Sequence, residues 1–126
     1  MTKQIIHTDN APAAAGTYSQ AVKAGDTLYI SGQIGLDPQT MVLADGFEAQ
    51  AKQVMDNIAE IAKAAGGTLA DVVKFNVSLT DLADFAALNA IFEQYLTTPY
   101  PARAAVQVAA LPKGAVVEIE SILYLP

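Results

Sequence analysis

The sequence predicts an α+β fold, one sheet covered on one face by two helices. Three observations carry that prediction. Apolar residues recur at helical spacing over 47–65 and again from about 81 to 96. Elsewhere they form short runs, one of them alternating with polar residues at the period of two of a half-buried strand. The resulting order, β-β-β-α-β-α-β-β, brings helices back to single strands after an opening group of strands, as in an α+β sandwich.

In chain order, Gln4-Ile5-Ile6-His7 reads as a short edge strand that Asp9-Asn10-Ala11-Pro12 breaks. Small residues lead to Gly16-Thr17-Tyr18-Ser19-Gln20. A hairpin follows, from Ser19 to Lys23, through Ala24-Gly25-Asp26-Thr27, and out along Leu28 to Ile34. Gly25-Asp26 suits a two-residue turn with positive φ at its first central position. Gly32, inside Ser31-Gly32-Gln33, marks a bulge or a close backbone approach. Leu36-Asp37-Pro38-Gln39-Thr40 is a turn, and loop continues to Gly46.

Phe47 to Ala65 is the clearest helix. Ala51, Val54, Met55, Ile58, Ile61 and Ala62 share one face with its two ends, while Gln50, Gln53, Asp56, Glu60 and Lys63 point away. Gly66-Gly67 terminates it. Val73, Phe75, Val77 and Leu79 then alternate with Lys74, Asn76 and Ser78 in a strand. Thr80 or Asp81 caps a second helix to about Leu96, with Asp84 favouring its positive end. Phe85, Leu88, Ile91 or Phe92, and Tyr95 make its apolar stripe, and Asn89 lies beside it. Thr97 to Pro101 is extended, because each proline drives its predecessor out of the helical region. It leads into the strand-like Ala104 to Ala109 and, past a turn at Leu111-Pro112-Lys113-Gly114, into Val116 to Glu120.

The 126 residues read as one domain, 1–126, large enough to bury a core without disulfides. Only 16% are charged and 52% are hydrophobic. Two helices can cover one sheet face, so the thin charge and the uncovered face together predict an oligomer. With no cysteine and a single histidine, His7, one chain assembles neither a thiolate or histidine metal cluster nor a Ser-His-Asp triad. The net charge of −6 and a pI near 4.4 argue against a sequence-independent grip on phosphates. Without a signal-like N-terminus or a membrane-length apolar run, a soluble cytoplasmic protein is expected.

Chemistry concentrates around Tyr100-Pro101-Ala102-Arg103 and the strands that follow. Arg103 is the only arginine, and its planar fork can hold a carboxylate through two parallel hydrogen bonds, which lysine cannot do. Val116-Val117-Glu118-Ile119-Glu120 sets two carboxylates in an apolar strand, on one face by strand period. Together these suit an anchored, water-activating site. The same residues also fit a surface arginine and a solvated strand face, or a structural Arg103–Glu118 pair across neighbouring strands. Composition and spacing leave these alternatives open.

Pro101-Ala102-Arg103-Ala104-Ala105-Val106, with Leu111-Pro112 and Val117-Glu118-Ile119-Glu120, resembles the signature of the RidA/YjgF family of enamine/imine deaminases. Asn10-Ala11-Pro12, Tyr18 to Val22, Ser31 to Ile34 and Asp81 to Phe85 are similar to further family motifs in register, so the resemblance spans the chain. It implies a chorismate-mutase-like (ferredoxin-like) fold and a homotrimer with sites in the clefts between subunits. It also implies cofactor-free, metal-free hydrolysis of 2-iminobutanoate and 2-iminopropanoate to 2-oxo acids and ammonia. Such imines arise from enamines released by pyridoxal-phosphate-dependent dehydratases.

By matched position, Arg103 would clamp the substrate carboxylate and Glu118 would position and activate water. Tyr18, Ser31, Gly32 and Asn89 would line the cleft, and the backbone at Ala105 would contact the imino group or the water. Many deaminating members carry cysteine where this chain has Ala105. A glutamate-held water needs no thiol, so the departure bears on substrate preference more than on the reaction. Two other functions compete: a non-catalytic binder of small carboxylates, and a ribonuclease, against which the acidic balance and single histidine weigh.

Overall fold

The computed structural model describes residues 2–126. The elements are β1 (Lys3–Ile6), β2 (Ala21–Ala24), β3 (Thr27–Gln33), α1 (Phe47–Ala64), β4 (Val72–Leu79), α2 (Phe85–Tyr95), β5 (Ala102–Gln107) and β6 (Val117–Tyr124). This is the order expected from the sequence. The six strands form one sheet in the order β1-β2-β3-β6-β4-β5. All neighbours are antiparallel except β4 and β5. A parallel pair needs a crossover, and α2 supplies it.

Alternation along the central strands divides the sheet into two unlike faces. Phe75, Val77 and Leu79 of β4 and Val117, Ile119 and Leu123 of β6 are buried beneath the helices. Met55, Ile58 and Ile61 of α1 and Leu88 and Ile91 of α2 meet them from above. Each such side chain contributes about 1.5–3 kcal/mol when fully buried, so this layer dominates stability. The opposite face carries no helix. Across it Ile5, Val22, Tyr29 and Ile122 stand in register as an apolar row. Ile5 is 53% and Tyr29 51% exposed, so a single chain leaves the row in water.

Local chemistry explains where the elements begin and end. Gly25 takes φ 59 in the β2–β3 turn, and Gly66 takes φ 88 just past α1. Asp81 accepts a hydrogen bond from Ala83 N at 2.9 Å and opens a short 3-10 turn, Leu82–Asp84, ahead of α2.

Three local expectations need correction. Gln50 points inward and is buried, its Oε1 accepting from Val116 N at 2.9 Å. A backbone donor just outside β6 thus finds its acceptor on the helix. A register shift between Val72 and Lys74 puts Val72 in the core and leaves Val73 48% exposed, so the alternation starts only after the bulge. Strand β5 begins at Ala102, which sets Arg103 within the strand rather than ahead of it. Among the described residues no helix is long and apolar enough to cross a membrane.

Candidate active site

Arg103 lies on the edge strand β5, opposite Phe75 of β4, and therefore on the helix-covered face. Its guanidinium carbon is 5.0 Å from the centroid of Phe85 and 5.5 Å from that of Phe92. Both rings project from α2, about two turns apart on the same stripe, and Asn89 comes between them in sequence. Arg103 Nη1 donates to Asn89 Oδ1 at 2.7 Å. Cation–π contact and one hydrogen bond thus hold the fork from one side. Among the described residues Arg103 makes no ion pair, so its other donors remain available for an anion. A cavity of about 450 Å³ opens beside it, lined by Asn89, Phe92, Glu93, Leu96 and Tyr100 among others.

Glu118 lies on the open face, in register with Ser78 of β4. The β3–β6 register shifts between Ile30 and Gln33, and this bulge brings Gly32 against the carboxyl. A Cβ added to Gly32 would sit 2.9 Å from Glu118 Cδ and 3.1 Å from Oε1. Glycine thus leaves room for the carboxyl where it now lies, a close approach, one of the two readings of its place in a strand. Burial is the main cause that raises the Glu118 carboxyl above its ordinary value, and the Glu120 charge adds to it. Glu120 itself is exposed and accepts from Asn76 Nδ2 at 3.1 Å.

The loop before β2 completes the Glu118 side. Gln20 is buried and ties this loop down: its Nε2 donates to the carbonyls of Thr8 at 2.9 Å and Pro12 at 2.9 Å, and its Oε1 accepts from Thr8 N at 2.8 Å. Tyr18 lies two residues earlier on the same loop, 53% exposed, its hydroxyl accepting from Ala15 N at 3.3 Å. Ser31 Oγ donates to Ser19 O at 2.6 Å and so fastens β3 to this loop. The cavity here, about 280 Å³, is lined by Glu118, Gly32, Tyr18, Ile34, Met41 and Lys113 among others.

One chain therefore gathers five of the seven residues singled out from sequence into two groups. Arg103 and Asn89 share one cavity, and Glu118, Gly32 and Tyr18 share the other. Ser31 lies next to the second group without lining its cavity, its hydroxyl directed at Ser19 O. Ala105 lines neither cavity. It faces the helix layer opposite Val77 and packs against the core, on a strand with a neighbour on one side only. The two cavities share no lining residue. Arg103 and Glu118 are on opposite faces with β4 between their strands, so a structural pair across neighbouring strands is ruled out.

Phe85 and Phe92 escaped sequence reasoning as arginine supports, although their spacing around Asn89 carried the signal. Gln20, Met41 and Lys113 carried none.

A family model described as Endoribonuclease L-PSP matches residues 8–125. A 2-iminobutanoate/2-iminopropanoate deaminase of Bos taurus is 53% identical over 97% of this chain and 90% of its own length. Among solved structures, RidA from an Antarctic Psychrobacter is 72% identical, with a TM-score of 0.96 over 97% of this chain and 99% of that one. E. coli TdcF with bound serine is 40% identical, with a TM-score of 0.92 over 98% of this chain and 99% of that one. With the family match running through both cavities and strands β2 to β6, the chain belongs to the RidA/YjgF family.

Proposed function

We propose that this protein hydrolyses 2-imino acids, 2-iminobutanoate and 2-iminopropanoate among them, to 2-oxo acids and ammonium. The site is completed between copies of a homotrimer, with Arg103 from the β5 edge of one copy and Glu118 from the open face of the next. The activity is the one named for relatives about half identical over nearly the whole chain. One observation carries the intersubunit assembly: the clamp and the base occupy separate cavities on opposite faces of one sheet. The in-register row Ile5–Val22–Tyr29–Ile122 supports the same reading, because a second copy can cover it.

The steps need little machinery. Arg103 binds the substrate carboxylate through donors that Asn89 does not use. Glu118 holds a water and accepts its proton as the oxygen bonds to the protonated C=N carbon. The carbinolamine nitrogen then takes that proton back from Glu118. The C–N bond breaks and the C=O bond forms as Glu118 accepts the hydroxyl proton, which then passes to the departing ammonia. Iminium and water thus give 2-oxo acid and ammonium. The upward shift of Glu118 makes its carboxylate a better base than an exposed one. Positioning supplies the rest of the gain, since an iminium carbon is already electrophilic.

The acidic chain, with net charge −6, is unsuited to gripping a phosphate backbone, so we assign it no nucleic-acid partner. We place the reaction in the cytoplasm. A second reading, a binder of small carboxylates without turnover, is favoured by the serine seen in TdcF.

A coupled assay separates the two: a threonine dehydratase supplies the imine, and semicarbazide competes for it. The protein should suppress semicarbazone formation and raise 2-oxobutanoate release. Binding of 2-oxobutanoate with an unchanged semicarbazone yield would overturn the deaminase in favour of the binder.

A further inference from the structure

We infer that Met41 limits the size of imine side chain this protein accepts, by walling off the apolar end of the Glu118 cavity. The inference rests on the reading of Glu118 as the water-holding base. It starts from a backbone anomaly. Met41 has φ 58, a left-handed conformation that glycine adopts freely and a methionine rarely takes.

The loop forces that conformation. Leu36 and Leu43 form a bridge, and Asp37 N donates to Val42 O at 3.0 Å. Met41 N donates to Asp37 O at 2.8 Å. The Asp37 carboxylate accepts from Gln39 N at 2.8 Å and from Thr40 N at 3.1 Å. The turn is thus fully bonded without any help from the side chain at 41, and glycine would close it with no strain. A methionine held there against the backbone preference points to a function for its side chain.

That side chain is half-buried and packs on a small apolar cluster of Ile34, Leu36 and Ala115, apart from the main core. Ile34, Leu36 and Met41 line the same cavity as Glu118. Once Arg103 holds the carboxylate and Glu118 the water, the remaining substituent on the reacting carbon is the substrate's side chain. The apolar end of this cavity is the surface built to receive it. The cavity measures about 280 Å³, so a short alkyl group fits beside Glu118 and its water with Met41 in place. An unbranched thioether makes a deformable wall rather than a rigid one. With Met41 walling that end, the expected substrates carry short alkyl side chains, and branched or aromatic ones are disfavoured.

The test compares kcat/KM for imines made in place by an amino-acid oxidase with catalase, from 2-aminobutanoate, leucine and phenylalanine. Met41→Gly removes the wall and relieves the backbone. Met41→Ala removes most of the wall and leaves the backbone as it is. Both should raise the leucine- and phenylalanine-derived imines relative to 2-iminobutanoate, by about tenfold or more, as a methylene-scale change in an apolar pocket can. Met41→Gly should also melt no lower than the parent protein. An unchanged ratio in both variants, with imines still hydrolysed, would overturn the role of Met41 and leave that of Glu118 intact. Failure of the parent protein to hydrolyse any of the imines would overturn the reading of Glu118 and this inference with it.

Discussion

On the helix-covered face, the arginine is fully supported within one chain. Phe85, Phe92 and Asn89 fix the guanidinium, and nothing from another copy is needed to place it. On the open face, Glu118 is pressed against Gly32 and half-buried, with Glu120 close enough to oppose its ionisation. There the groups that position the carboxyl are present, but among the described residues it makes no ion pair. The contrast teaches that one chain places the guanidinium with supports on several sides, while it places the carboxyl without a partner charge. In the proposed assembly, a substrate carboxylate is captured on one protomer and water is directed at its imine carbon from the next.

The largest effect tests the unfinished half. Glu118→Gln keeps size and hydrogen bonding but removes the proton acceptor, so turnover of 2-iminobutanoate should fall on the order of 10²-fold or more. Calorimetric binding of 2-oxobutanoate should change little, because the Arg103 clamp is intact. Stability provides an internal control. The Glu118 pKa is raised in the folded chain, so stability present below the unfolded value is lost as pH rises through the folded one. The glutamine variant escapes that loss and should melt no lower than the parent at neutral pH. A lower melting point would mean that the lost turnover reflects misfolding.

The next effect tests the finished half. Arg103→Lys keeps the charge but loses the two-pronged geometry and its stacking on the two phenylalanines. A lost charge-assisted hydrogen bond of roughly 1.5–3 kcal/mol corresponds to about one to two decades in kcat/KM. Here 2-oxobutanoate binding should weaken together with activity, unlike in Glu118→Gln. Near-normal kinetics would reduce the arginine to a structural residue.

Much of this contrast was legible in the sequence, and the reason is that its ingredients are local. The helical stripe of α1, the alternation of β6 and the glycine of the β2–β3 turn all follow from neighbours a few residues apart. Gly32 was legible as a special position, though only the fold shows Glu118 as the group that comes close. What escaped is non-local. That β4 intervenes between the arginine and glutamate strands is a matter of strand order, which no spacing along the chain encodes. Gln50 looked like a solvated helix position because its partner, Val116 N, is remote in sequence. Val73 looked like core because a bulge beside it resets the period. Phe85 and Phe92 read as ordinary stripe residues until β5 brought Arg103 beneath them.

A smaller effect sharpens the electrostatic side of the comparison. Burial first and the Glu120 charge second hold the Glu118 carboxyl above its usual range. The base must be ionised, so kcat/KM should be lost as pH falls through that raised value. Glu120→Gln removes the second cause, so the acid limb should move to lower pH while the plateau stays within about twofold. A plateau that collapses as it does in Glu118→Gln would place Glu120 in the reaction. An unmoved limb would deny the coupling between the two carboxylates.

The central claim, that clamp and base come from different copies, is tested most directly by complementation. Arg103→Lys and Glu118→Gln chains, each nearly inactive alone, are dissociated, mixed in equal amounts and reassembled. If each site takes its arginine from one chain and its glutamate from the next, random reassembly pairs two intact halves in about a quarter of the sites. Activity should then recover to about a quarter of the parent value. If one chain supplied both residues, every site would keep one lesion, and the mixture would remain as inactive as its components.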